Sequence, residues 1–304
     1  MSNVSVIILT FNDEIHIERT IKGVLPFARE VIVVDSFSTD RTREISEELG
    51  ARFYQHAWEN SAGKQLNWAF RNIAIDGEWT MFVASDEYPV PELIEEIESR
   101  LDSLPPEVTG VFVNRRIHFL GRWIRHGDVH GRWVLRILRT NLVASGKAYL
   151  EERMDEHVVI EEGRQIEFKH EMVDDNLRSL AWFVEKHNGY ATREVNDRLA
   201  ARYLPEFAPE EMVLTGFRVK MVRWLKNNLY YVMPPLYRSA FYFAYRYFLR
   251  LGFLDGREGL IYHFLQGFWY RFLVDAKLFE VEVSARLQGR PVDEIVRELV
   301  CKTR

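Results

Sequence analysis

Cysteine is almost missing: Cys301 is the only one in 304 residues, so no internal disulfide can form and the composition suits a reducing compartment. No uninterrupted apolar run reaches the ~18 residues that a transmembrane helix needs. That excludes a spanning helix and leaves association with a membrane surface open. The N-terminus has no signal-peptide pattern, because Val4 to Leu9 is too short for an h-region and carries no basic flank. Together these absences predict a cytoplasmic protein. G-x-G-x-x-G does not follow the first apolar stretch, which sets aside a lone dinucleotide-binding domain. Internal repeats and low-complexity tracts are lacking too.

What is present describes an ordinary globular chain, with 47% hydrophobic and 28% charged residues. Its length allows one large core, or a catalytic domain with an appended module. The net charge of -5 hides an asymmetry. Between Gly216 and Lys277 ten Lys or Arg face only three acids, Asp255, Glu258 and Asp275. A local excess of that kind suits a polyanionic partner, nucleic acid or anionic lipid.

The first hundred residues alternate strand and helix patterns. Strands are expected at Val4 to Thr10, Val31 to Asp35, Ala51 to His56 and Trp79 to Ala84. Helices are expected at Glu14 to Leu25, Asp40 to Leu49, Lys64 to Ile75 and Glu92 to Leu101. Such alternation predicts an α/β fold with a mostly parallel sheet and right-handed crossovers, so that the strand ends share one edge. After Pro105 and Pro106, Val108 to Phe119 and Trp133 to Arg139 read as strands joined by a Gly-rich basic loop, Gly121 to Gly131. Leu142 to Leu150 and Val158 to Phe168 read as further strand, and Leu177 to Tyr203 as a helix closed by Pro205. The domain change is placed near Leu204 to Pro209, giving a catalytic domain over 1–204 and a C-terminal helical module over 205–304. In that module helices are expected at about Glu210 to Tyr231, Leu236 to Leu251, Gly259 to Phe279 and Val292 to Val300.

The chain is organised around Trp79 to Pro89, where an apolar strand delivers Ser85, Asp86 and Glu87 to its end and Pro89 and Pro91 stop it. Ligands of open α/β sheets bind at the carboxyl ends of strands. Carboxylates there can hold a divalent cation, and Mg²⁺ usually completes its shell with water and substrate phosphates. An acidic pair before a proline reads equally as a solvated turn or a helix cap. Strand one ends in Thr10-Phe11-Asn12-Asp13-Glu14, and strand two in Asp35-Ser36-Phe37-Ser38-Thr39-Asp40. Asp40 reads as a helix N-cap with Glu44 in the first turn, whereas Asp35 has no such structural role and suits a base edge or a ribose. Arg136 and Arg139 alternate around apolar residues and suit either a phosphate clamp or the polar face of a strand.

SVIILTFNDE, VIVVDSFSTDRT, GKQLNWAF and FVASDEYP, in this order and spacing, resemble the family 2 inverting glycosyltransferases, nucleotide-sugar enzymes with one Rossmann-like GT-A type domain. The later segments FLGRWIRHG, VLRILRT, MDEH, EKHNGYATRE and RLGFLDGREG are similar to a bacterial subgroup that builds lipopolysaccharide core or exopolysaccharide. The resemblance implies that Thr10, Asn12 and Glu14 line the nucleotide pocket and that Asp35 contacts the base, uracil. It places Lys64, Asn67 and Ser85 near the donor ribose or diphosphate, although Lys64 and Asn67 also read as a solvated helix face. Asp86 matches the second acid of the family's Asp-x-Asp metal motif, and Ala84 stands where the first belongs. With one carboxylate fewer, Glu87 or His170 is the candidate to complete a Mg²⁺ or Mn²⁺ site. Inversion by direct attack needs a base on the face opposite the leaving group, and the resemblance puts Glu156, with Asp155 second, at that position.

The implied activity is hexosyl transfer from a nucleotide-diphosphate sugar, a UDP-sugar, to a glycan or lipid-linked acceptor. Two other readings use the same residues. One is a non-catalytic relative that binds nucleotide-sugar or glycan as an assembly partner; the other is a nucleotidyltransferase that releases pyrophosphate. The C-terminal module mixes basic residues with aromatics such as Trp224, Tyr237, Phe241, Phe248 and Trp269. That mixture suits the headgroup layer of a bilayer, or a helical subdomain packed on the core or on a second copy. Nucleic acid is excluded for want of a recognition module.

Overall fold

The computed structural model describes residues 2–151, 158–204 and 233–303. Val4–Thr10 forms β1 and Ala28–Asp35 forms β2, each apolar on both faces because helices cover the sheet on both sides. On one side Val6, Ile8, Val31 and Val33 pack with Ile17 and Ile21 of α1 (Ile17–Val24) and with Leu93 and Ile97 of α4 (Pro91–Arg100). On the other, Ile7, Ile32 and Val34 meet Leu66, Ala69 and Phe70 of α3 (Ala62–Asn72). Burying such a side chain contributes roughly 1.5–3 kcal/mol each. A polar residue at any of these positions would break the layering.

β3 (Arg52–Gln55) follows α2 (Thr42–Glu48), and β4 (Trp79–Ala84) follows α3. The four strands run parallel in the order β3-β2-β1-β4. Register sets Thr10 beside Asp35, Asp35 beside Gln55 and Leu9 beside Ala84, so four strand ends open on one edge. The sheet continues with β8 (Arg132–Arg139), β6 (Val108–Phe119), β11 (Arg164–Asp175) and β5 (Glu87–Pro89). β8 runs against both β4 and β6, which restores β6 and β11 to the direction of β4. Their carboxyl ends therefore reach the same edge. β7 (Arg122–Trp123) hairpins onto the end of β6.

Leu142 to Leu150 departs from the strand expected there. A helical turn, α5 (Thr140–Ala144), follows β8 directly, Gly146 reverses the chain at φ 74°, and only β9 (Ala148–Leu150) is extended, paired with β10 (Val158–Ile160). Leu142 and Val143 still bury their side chains, so their apolar character serves a helix as well as a strand.

By contact the chain divides into Met1–Arg125 with Val129–Leu177, and His126–Asp128 with Arg178–Arg304. α6 (Leu180–Tyr203) thus groups with the C-terminal helices, upstream of the division expected near Leu204. The reason is apolar: Ala191, Val195 and Leu199 pack with Val274, Val281 and Ala285 of α9 (Tyr270–Gln288) and with Val296 of α10 (Val292–Thr303). α7 (Tyr237–Ala244) and α8 (Gly256–His263) each run into a π-helical segment, at Tyr245–Leu249 and Phe264–Trp269. The helix expected at Glu210 to Tyr231 lies outside the described residues. Among the described residues no helix is long and apolar enough to cross a membrane.

Candidate active site

The loops after β1 and β2 are laced together at the carboxyl edge. Asn12 donates its N–H to Ser38 Oγ (2.7 Å) and accepts the Thr39 N–H through Oδ1 (2.7 Å). Glu14 donates its N–H to Asp40 Oδ2 (3.1 Å) and accepts the Arg41 N–H (3.0 Å). Asp40 also takes the Thr42 N–H (3.0 Å); the N-cap of α2 is Arg41, one residue later than expected, and Asp40 braces the two loops. Asn12 and Phe37 both hold left-handed backbone, at φ 49° and 62°. Asn tolerates that region, whereas for Phe it stores strain on the order of 1–3 kcal/mol. Phe37 and Phe11 nevertheless leave more than half of their surface in solvent, which places two exposed rings on adjacent loops above Asp35 and Thr10.

Asp35 is fully buried and accepts the Ser38 N–H (2.8 Å), the Ser38 hydroxyl and Gln55 Nε2 (3.2 Å). Its register partner Thr10 is buried too, and among the described residues Thr10 Oγ1 has no hydrogen-bond partner. A buried hydroxyl without a partner is costly and points to a ligand or water at that spot.

From α3, Gln65 donates to Ser36 Oγ (3.1 Å) and meets His56 Nδ1 (2.7 Å), while Lys64 lies 3.5 Å from Glu59 at the surface. Asn67 is buried and clamps both backbone groups of Leu150, at 2.8 and 3.0 Å. Its amide therefore positions the end of β9. Asp155 and Glu156, the expected base, lie outside the described residues.

At the end of β4, Ser85 donates to Asp13, which also holds His16 Nδ1 (2.8 Å), and His16 Nε2 accepts the Leu177 N–H (2.9 Å). Asp86 is half-buried. Its Oδ2 accepts Asn176 Nδ2 (2.8 Å) and its carbonyl accepts the Asp175 N–H (3.1 Å). Asp175 in turn holds Arg19 (2.7 Å), so β4 and β11 are knitted where they end. Sequence reasoning did not single out Asp13, Gln65, Asp175 or Asn176. The first two sit inside the quoted motifs, but only contact across the sheet reveals their partners.

The other candidates are engaged elsewhere. Glu87 is 2% exposed, accepts the Ala84 N–H (3.0 Å) and pairs with Arg136 (2.5 Å). His170 Nδ1 faces Glu96 Oε2 at 2.9 Å, and Glu96 also takes the N–H groups of Lys169 and His170. Burial opposes the charged form of Glu96, yet these hydrogen bonds prevail and its carboxyl lies below the usual range. Arg139 stacks on Trp79 (3.9 Å) and donates to the carbonyls of Val108 and Leu104. Among the described residues no group of three or more His, Cys, Asp or Glu is placed to hold a metal ion. Asp86 Oδ1 has no hydrogen bond among the described residues, which fits a cation that takes its other ligands from phosphate and water.

A parallel β3-β2-β1-β4 edge, with a buried carboxylate after the second strand and an acid after the fourth, defines a GT-A type α/β domain. Residues 5–155 match the family model described as Glycosyl transferase family 2, and the chain belongs to that family. An uncharacterized glycosyltransferase of Rickettsia bellii is 39% identical over 95 residues, covering 31% of each chain. One from Rickettsia felis is 37% identical over 98 residues, covering 32% of this chain and 34% of that one. The matched stretch thus spans about a third of these relatives. The fold is shared with a mannosyltransferase of Pyrobaculum calidifontis, solved in complex with GDP-Man and Mn²⁺, at a TM-score of 0.52 and 15% identity over 91% of this chain and 87% of that one.

Proposed function

We propose that this chain transfers a sugar from a UDP-sugar to a glycan or lipid-linked acceptor in bacterial envelope polysaccharide or lipopolysaccharide synthesis, with inversion at the anomeric carbon. The observation that carries the reading is the unpartnered Thr10 hydroxyl beside buried Asp35, on the edge where Asp86 keeps one carboxylate oxygen open. Asp35 and Thr10 bind the uridine, whose base stacks against Phe11 or Phe37. Asn12 and Glu14 hold the loops that frame it, and Ser85 and Lys64 lie toward the diphosphate. Asp86 would hold a Mg²⁺ or Mn²⁺ ion; that ion, when bound, neutralises charge growing on the leaving diphosphate. Glu156, with Asp155 as the alternative, accepts the acceptor hydroxyl proton as its oxygen bonds to the anomeric carbon and the bond to the diphosphate oxygen breaks.

A thermal-shift panel of nucleoside diphosphates, with and without Mn²⁺, tests this. A uridine nucleotide should stabilise the wild type, and Asp86→Ala should lose the metal-dependent part of that shift. Identical shifts in both proteins would remove Asp86 from the site. The absence of a carboxylate at Ala84 favours one competing reading, a non-catalytic binder. It predicts nucleotide binding with no transfer or donor hydrolysis in either metal. Release of pyrophosphate instead of UDP would indicate a nucleotidyltransferase.

The exposed rings of Tyr237, Phe241 and Phe248 and the exposed Leu249 favour a place on the inner face of a membrane. Single apolar residues at a surface are ordinary, but this run is dense and carries Arg250 and Arg257 with it. Sedimentation with vesicles containing anionic lipid, against neutral vesicles, checks it. Equal recovery in both supernatants would contradict it.

A further inference from the structure

The hairpin of β6 and β7 turns at Leu120 and Gly121, with φ 50° and 77°. Alternation puts Asn114, Arg116 and His118 on one face of β6, and β7 sets Trp123 opposite His118. The Trp123 indole carries two guanidiniums, Arg116 at 4.0 Å and Arg125 at 3.8 Å from its ring centre. Arg116 Nε bonds Glu171 (2.7 Å), which also accepts from Asn114 (3.3 Å) and lies 3.5 Å from His130. Glu171 thus pairs with one of the two stacked guanidiniums, that of Arg116. Arg125 has no carboxylate or carbonyl partner among the described residues, and stacking on an indole leaves a guanidinium's N–H edge directed outward.

Three polar atoms of the same hairpin, Asn114 Oδ1, His118 Nε2 and Trp123 Nε1, are buried with no hydrogen-bond partner among the described residues. Orphaned atoms gathered on one hairpin face call for a polar ligand. The cluster also has a place relative to the donor edge. His118 is in register with Asp175, whose N–H bonds the Asp86 carbonyl (3.1 Å). β7 lies two strand spacings from β11, about 10 Å, at the end of β6 that shares the edge with Asp175.

We propose that Arg125, Arg116 and Trp123 form a subsite for an oxyanion on the acceptor saccharide, a sugar carboxylate or a sugar phosphate. This rests on the glycosyl-transfer reading above and specifies its acceptor. Asn114, His118 and the indole N–H take ring hydroxyls, while the outward edge of Arg125 takes the acid. Equilibrium binding to the full chain, labelled with ¹⁵N-tryptophan, provides the test. The Trp123 indole resonance is assigned by its loss in Trp123→Phe, and the chain is titrated with glucose, glucuronate and glucose 6-phosphate.

An acidic sugar should shift that resonance and bind roughly tenfold tighter than glucose, as a charge-assisted hydrogen bond predicts. The stronger of the two acids tells carboxylate from phosphate. Arg125→Gln should keep a dispersed spectrum and bind all three sugars alike. Equal binding of acidic and neutral sugars by the wild type, no movement of the Trp123 resonance, or an undiminished acid preference in Arg125→Gln would overturn the subsite. UDP with Mn²⁺, added to the same sample, separates the two levels. If the nucleotide stabilises the protein while acidic sugars are ignored, only the subsite fails; if the nucleotide has no effect, the donor reading fails.

Discussion

Asn176 Nδ2 donates to Asp86 Oδ2 at 2.8 Å across 90 residues of chain. The bond joins the residue just beyond β11 to the acid just beyond β4, and the Asp175 N–H to the Asp86 carbonyl runs beside it. One carboxylate oxygen is thereby held while the other stays open. An acid anchored in this way needs no second acid beside it to fix its direction. Under the proposed reading, the tether offers a physical account of how a strand end with Ala84 in place of a carboxylate could still anchor a cation through Asp86.

Removing the tether should therefore weaken the metal without unfolding the sheet. Partners that orient a metal-binding group cost roughly 10–100-fold in metal affinity when lost. Asn176→Ala is expected to raise the Mn²⁺ concentration needed for half-maximal UDP stabilisation by that order, whereas Asn176→Asp, which loses the same donor but adds a carboxylate beside the ion, should raise it less. Titrating Mn²⁺ against the thermal midpoint at fixed UDP measures both. An unchanged titration would mean that Asn176 only braces the loop.

Gly63, in the first turn of α3, faces the backbone of Glu151. A Cβ there would lie 2.5 Å from the Glu151 carbonyl oxygen and 3.2 Å from its carbon, so the chain leaving β9 must shift. That chain leads within five residues to Asp155 and Glu156. Gly63→Ala is expected to cost about 1–3 kcal/mol of stability by overpacking. It should also lower kcat while the KM for the donor changes little, since Thr10 and Asp35 are on other elements. Steady-state kinetics against donor concentration distinguish this from a loss of nucleotide binding.

Much of the first domain was legible because its strands are buried on both faces and read as unbroken apolar runs. Val4 to Thr10, Trp79 to Ala84 and Val108 to Phe119 are found with the expected ends. Leu142 to Leu150 was not, since Leu and Val suit a buried helical turn equally, and the reversal at Gly146 decides the matter. The gathering of Thr10, Asp35 and Asp86 on one edge follows from parallel topology, which the alternation of elements announces. The commitments of Glu87 to Arg136 and of His170 to Glu96 do not follow, because each partner lies 49 or 74 residues away and no local pattern encodes the pairing. Asn67 is similar, spending its amide on Leu150 at a separation of 83 residues.

Glu87 and Arg136 are 3% and 16% exposed at the side chain, and the pair closes the turn that carries Asp86. Breaking a buried pair from one side leaves a charge uncompensated, at about 3–5 kcal/mol, while replacing both partners by apolar groups is often near neutral. Glu87→Gln alone should lower the free energy of chemical unfolding by that amount. Glu87→Leu with Arg136→Met should recover most of it. If the double variant is no more stable than Glu87→Gln, the cost lies in the lost Ala84 N–H bond rather than in the stranded cation.

His263 is expected to make the helical unit sensitive to acid. It is fully buried, and among the described residues neither ring nitrogen has a hydrogen-bond partner. Gly127 and Gly252 press so close that a Cβ at either would fall 2.0 or 2.6 Å from the ring. Burial first, and the nearby Arg246 cation second, push its pKa down from 6.5 to about 4, against the opposing pull of Asp255. The unfolded chain therefore binds a proton that the folded chain refuses between those values. Stability is full above pH 6.5, falls as pH drops through that window, and levels off below about 4 as far as this group is concerned. The loss reaches about 3 kcal/mol at its limit. His263→Leu should flatten that slope between pH 6.5 and 4.5, where carboxylates such as Glu30 and Glu96, with their lowered pKa values, are still ionised. Urea unfolding of both proteins at three pH values reads the difference directly, and parallel slopes would show that His263 is protonated in the folded state.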